Sequence, residues 1–112
     1  SDNMGGGNTY FRRLALRHDS FLDKSGGVLL AENGLRKSFY VCNLTNSPVF
    51  LLFSRDHPDS ENGYFDRILP AGSALDFLRE SDCYTGAVTI QMPDCTSGMV
   101  VVSEEFLSNK QS

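Results

Sequence analysis

Tryptophan is missing from these 112 residues, histidine occurs twice and cysteine three times. Each shortage removes a class of function. With only His18 and His57, and no nucleophile elbow, no base and nucleophile converge in the sequence. His18-Asp19-Ser20 spells the letters of a catalytic triad, but neighbours in the chain cannot supply roles that need separate elements. Cys42, Cys83 and Cys95 are odd in number, form no CxxC pair and have no histidine at metal-ligand spacing. They therefore read as three free thiols in a reducing compartment, with Cys42 packed as a small hydrophobe. No apolar run approaches the roughly 20 residues of a membrane-spanning helix. Helix-favouring Ala/Leu/Glu/Lys runs are scarce, which argues against a helical bundle. Gly5-Gly6-Gly7 has no Gly-Lys-Ser/Thr after it, so it is not a phosphate loop.

Charge is modest and uneven. Residues 1–37 carry six Lys/Arg against four Asp/Glu; residues 38–112 carry four against ten. An acidic body argues against nucleic acid as a partner, because phosphate binding needs a basic face. The Asp56-His57-Pro58-Asp59-Ser60-Glu61 run, with Asp66 nearby, is the best metal candidate. Its spacing matches no calcium loop, and a solvated loop is the better reading. No cofactor or metal is expected. Asn43-Leu44-Thr45 fits the glycosylation sequon but is expected to stay unmodified at a hairpin end.

What the chain has is aromatic and β-branched residues in short runs between turn residues. Eight Phe, four Tyr and ten Gly suit a turn-rich β protein. The densest run spans residues 36–53, broken near its middle by Thr45-Asn46-Ser47, and reads as a central antiparallel hairpin. In its first strand Phe39, Val41 and Asn43 share one face, and Tyr40, Cys42 and Leu44 the other. In its second, Val49, Leu51 and Phe53 oppose Phe50 and Leu52. Both faces are apolar, where a half-solvated sheet would alternate. Two-sided burial predicts that one face meets a second sheet and the other meets the N-terminal arm or another subunit. Residues 84–92 alternate with Val88, Ile90 and Met92 inward, and residues 99–106 read as the last strand.

The pattern predicts an all-β chain: a single antiparallel β-sandwich or jelly-roll-like barrel of about seven strands. It divides into an N-terminal arm and linker (1–27), a β-sandwich domain (28–106) and a flexible tail (107–112). Residues 1–8 form a flexible Gly-rich arm, residues 9–17 an extended segment or edge strand, and residues 18–27 a linker.

Four pieces of the chain, in order, resemble small β-sandwich virion proteins of tailed bacteriophages. The first is Arg36-Lys37-Ser38-Phe39-Tyr40-Val41-Cys42-Asn43-Leu44-Thr45-Asn46-Ser47-Pro48-Val49-Phe50. The second is Ile68-Leu69-Pro70-Ala71-Gly72-Ser73-Ala74, and the third Tyr84-Thr85-Gly86-Ala87-Val88-Thr89-Ile90. The fourth is the closing Val100-Val101-Val102-Ser103-Glu104. Cys42 stands where those proteins carry asparagine or glutamine, and residues 1–27 have no clear counterpart. The resemblance implies a non-enzymatic component of the particle, assembled in the host cytoplasm: a decoration or cement protein, a head fibre, or a neck or tail accessory. Its expected partners are copies of itself, as a trimer, and the major capsid or tail proteins, with no membrane. Tyr10, Phe11, Phe39, Tyr40, Val41, Phe50 and Leu52 are the expected contact residues. A carbohydrate-binding module for host-surface glycans is the alternative, with Tyr64, Phe65, Phe77 and Tyr84 as a stacking platform.

Overall fold

A computed structural model describes residues 13–23, 25–77 and 83–108. They form eight strands: β1 (Arg13–Phe21), β2 (Gly27–Leu30), β3 (Arg36–Asn43), β4 (Val49–Leu52), β5 (Arg67–Leu69), β6 (Ala74–Phe77), β7 (Val88–Gln91) and β8 (Val100–Ser108). A short 3-10 turn at Ser60–Asn62 interrupts the loop before β5. The strands make two four-stranded antiparallel sheets, β1-β8-β3-β6 and β2-β7-β4-β5, here sheets A and B.

The pairings nest. β1 pairs with β8, β2 with β7, β3 with β6, and β4 with β5. This is one long antiparallel ribbon folded about the 4–5 hairpin and wound up, with β3·β8 and β4·β7 closing the sheets. That order is a jelly roll, the two-sheet answer to the problem of exposed strand edges.

Alternation places the core between the sheets. Phe39 and Val41 of β3, Val100 and Val102 of β8, Val49 and Leu51 of β4 and Val88 and Ile90 of β7 are buried and meet there, with Leu30, Leu69 and Met92. Phe39 anchors an aromatic group at one end. It stacks on Phe77 at 4.6 Å, with Phe53 edge-on to both, and Tyr84 stacks on Phe53 at 5.1 Å. Such pairs contribute about 0.5–1.5 kcal/mol each beyond area burial.

Three sequence expectations change. Residues 36–53 are not a hairpin: β3 lies in sheet A and β4 in sheet B. After Asn43 the chain stays beside the strand it already follows, with Leu44 N–H donating to Met99 O and Met99 N–H to Leu44 O. It then crosses to the other sheet. The apolar faces of β3 and β4 therefore face each other across the core, which local periodicity cannot distinguish from a two-sided hairpin. Second, the expected linker at residues 18–27 begins as strand. β1 runs through Phe21 because β8 offers nine residues of backbone to pair, with Asp19 opposite Val102 and Phe21 opposite Val100. Its exposed His18, Asp19 and Ser20 suit an edge strand. At the other end β8 enters the expected tail as far as Ser108, and Leu107 N–H donates to Leu35 O. The Gly-rich stretch at 1–8 and residues 109–112 lie outside the described residues.

Candidate binding surface

Two buried polar clamps hold the ends of the sandwich. Arg36 opens β3 and is 2% exposed. Its Nη1 donates to the carbonyls of Tyr84 (3.0 Å) and Gly86 (2.9 Å), and its Nη2 to that of Ala31 (2.7 Å). Nε faces Glu104 Oε1 at 3.5 Å, long for a hydrogen bond but close for an ion pair. Glu104, itself 5% exposed, accepts from Asn33 Nδ2 through its other oxygen. A rigid guanidinium fork can reach three carbonyls and a carboxylate together, which lysine cannot. Gly86 is required here. Tyr84 folds back so that its hydroxyl donates to Ala87 O, and a Cβ on Gly86 would strike the phenol. Burial pushes the Tyr84 phenol above its ordinary range.

Asn43 closes β3 with the second clamp. Its side chain is fully buried. Nδ2 donates to Ser47 O and Leu69 O, while Oδ1 accepts from Thr45 N and Thr45 Oγ1. The backbone of Asn43 meets the next turn, accepting from Gly72 N and donating to Ser73 O. Gly72 has φ +85° in that Pro70–Ser73 turn, a conformation in which a Cβ is strained. With both nitrogen protons engaged, the sequon asparagine has no free face for a glycan. Cys95 packs beneath, its thiol 3.1 Å from Thr45 Oγ1. Cys95 is thus the buried small hydrophobe, and Cys42, the residue expected in that role, is half-buried on the outer face of β3.

The outer face of sheet B is covered from within the chain along β4 and β7, while Val28 on β2 and Ile68 on β5 stay exposed on it. The loop 53–66 folds across it as a strap. Thr89 Oγ1 donates to Asp56 O, and Ser60 N–H to Gln91 Oε1 at 2.9 Å. Leu52 and Thr89, which point away from the core, are 5% and 2% exposed as a result. Phe50, half-buried on the same face, takes Phe65 edge-on at 5.0 Å. The second apolar face of β4, which suggested a partner, is met here by the strap.

Among the described residues, nothing covers the outer face of sheet A at His18, Tyr40 and Asp76, which are exposed. Across its middle row lie His18 on β1, Ser103 on β8, Tyr40 on β3 and Asp76 on β6, in register. Tyr40 is 36% exposed and stands beside a shallow groove of about 230 Å³ bordered by Ser38, Asp76, Ser103 and Glu105. Ser38 Oγ donates to Glu105 Oε1 at 3.0 Å. Hydrogen bonding to the Cys42 thiol and its charge, then partial desolvation and Asp76, raise the Tyr40 phenol. It stays a neutral donor at neutral pH.

The expected contact residues therefore separate. Phe39 and Val41 are core and offer no surface. Leu52 is under the strap, and Phe50 is half-covered there. Tyr40 is exposed on an open face. Tyr10 and Phe11 lie outside the described residues. The four aromatics of a stacking platform also separate: Phe77 and Tyr84 join the core aromatic group, Phe65 packs on Phe50, and Tyr64 is exposed within the strap with its hydroxyl on Asp56 Oδ2 at 2.7 Å. That bond raises the Tyr64 phenol. Sequence reasoning missed the strap. Its trace was Thr89, a hydroxyl in an apolar strand that needs an acceptor.

The acidic run is occupied structurally. Asp59 caps the 3-10 turn through Asn62, Asp66 Oδ2 accepts from Phe53 N–H, and Asp56 holds Tyr64. Among the described residues no group of three His, Cys, Asp or Glu stands where one ion could be held. Comparison of the chain with protein-family models, curated proteins and solved structures found no match.

Proposed function

We propose that this chain is a non-enzymatic structural component of a tailed-phage particle that self-associates and docks on capsid or tail proteins. One observation carries the reading: the residues that give the resemblance are those that build the two clamps. Arg36, Tyr84, Gly86 and Glu104 come from three of the four pieces and meet at one end. Asn43, Thr45, Leu69, Gly72 and Ser73 come from two and meet at the other. Four short motifs that close on each other in space are a single architectural signature. The jelly roll is an architecture of capsid and lectin domains. The exposed outer face of sheet A, with Tyr40 at its centre, is the surface we assign to a partner.

Incubating purified chain with particles and sedimenting them tests this. The expected result is saturable co-sedimentation, reduced by Tyr40→Ser with the fold intact. A monomer that does not bind particles contradicts it. The glycan-binding alternative is less well supported, since its aromatics do not share a face. A glycan array on which wild type binds and Tyr64→Ala does not would revive it.

A further inference from the structure

His57 sits in the strap with a ring nitrogen on each of two carbonyl oxygens. Nδ1 is 2.8 Å from Pro58 O and Nε2 is 3.0 Å from Ser25 O. Carbonyls only accept, and a neutral imidazole carries one N–H. Only the imidazolium can donate to both. In the neutral ring one nitrogen lone pair must face a carbonyl oxygen. The Ser25 contact spans from the strap to the turn before β2, so the ring joins two segments that no strand pairing connects. Arg55 Nη2 to Glu32 Oε1, at 3.1 Å, is an ion pair that also reaches out of the strap, and both of its side chains are highly exposed. Such a pair contributes little.

We propose that His57 is a pH-operated latch: as imidazolium it ties the 53–66 strap down over sheet B, and as neutral imidazole it frees the strap to lift. Beneath the strap lie Leu52 and Thr89, so lifting adds their surface to the exposed Val28 and Ile68 on the same face. The surroundings favour the charged form. Asp56 and Asp59 flank the ring on the strap, and Asp23 lies on the facing turn, accepting from Ser25 N and Oγ. Thr89 and Gln91 of β7 are neutral, Glu32 is paired with Arg55, and Lys24 lies outside the described residues. The carbonyls of Ser25 and then Pro58 hold the His57 pKa above its ordinary 6.5 against desolvation, and Asp59 adds a lesser upward pull.

The sign follows. The folded pKa is raised, so the latch is complete below about pH 6.5 and is lost as pH rises through the higher native value. Hydrogen exchange at about pH 5.5 and about pH 8.5, corrected for intrinsic chemistry, reads it directly. Strap amides such as Ser60 should be about three- to tenfold better protected at the lower pH, the range set by one charge-assisted hydrogen bond near the surface. His57→Gln, neutral throughout, should abolish that difference. Amides of Val41 and Val102 in the core should change alike in both proteins, separating strap opening from unfolding. Flat strap protection in wild type, a pH difference that survives in His57→Gln, or a His57 NMR titration at or below pH 6.5 overturns the proposal.

Discussion

Replacing Arg36 by methionine keeps an unbranched stem in the site and removes the fork. Three carbonyl acceptors, on Ala31, Tyr84 and Gly86, then lose their donor. Glu104 becomes a 5% exposed carboxylate with only Asn33 beside it. Summing hydrogen bonds would overshoot, because Ala31 is exposed and its carbonyl can take water. The stranded charge dominates. Removing one partner of a buried pair costs about 3–5 kcal/mol, a large part of the roughly 5–15 kcal/mol that holds such a domain folded. The melting temperature should fall by about 10–20 °C. Without tryptophan, urea unfolding is best followed by circular dichroism. Glu104→Gln keeps one acceptor oxygen, enough for Arg36 or Asn33 but not both, and should cost about 1–3 kcal/mol. The Arg36→Met/Glu104→Gln double variant should be less damaged than the sum by about 1–3 kcal/mol, because no carboxylate is left unpaired. A loss below about 1 kcal/mol for Arg36→Met at unchanged denaturant slope would refute the reasoning.

Asn43→Ala should lower stability by about 2–4 kcal/mol in the same assay, since it leaves Ser47 O, Leu69 O and the Thr45 donors unmet. Gly86→Ala should displace the Tyr84 ring and cost about 1–3 kcal/mol, read as loss of the near-ultraviolet tyrosine signal before the far-ultraviolet one. Thiol labelling of the native protein should modify Cys42 first and Cys95 last, because Cys95 is buried; Cys83 should react slowly, since burial raises its thiol above the ordinary range. Labelling of Cys95 as fast as Cys42 would contradict the second clamp.

Alternation along the strands was readable in the residues. Phe39 and Val41, Val49 and Leu51, and Val88, Ile90 and Met92 point inward as their spacing requires. Sheet membership was not. Thr45-Asn46-Ser47 has turn chemistry, but it serves an arch between sheets, because Asn43 pulls Ser47 and Leu69 together and Leu44 stays paired with Met99. No local signal separates an arch from a hairpin when both join two apolar strands. Residues 13–17 of β1 were legible as an edge strand, but its second half was hidden for a related reason: His18-Asp19-Ser20 reads as linker, and only the length of β8 makes it strand. The clamp at Arg36 was legible as a motif but not as a mechanism, since its partners lie five to 68 residues away along the chain. The strap was invisible because a loop's docking depends on single bonds such as Ser60 to Gln91.

If the two clamps build the fold while the outer face of sheet A makes the contacts, Tyr40→Glu should change assembly and leave the fold in place, which light scattering of wild type and variant reads. Wild type should have a mass several times the 12.4 kDa of one chain, and Tyr40→Glu should be a monomer with the same far-ultraviolet circular dichroism and a cooperative unfolding transition. Equal masses for the two proteins would contradict this division of roles.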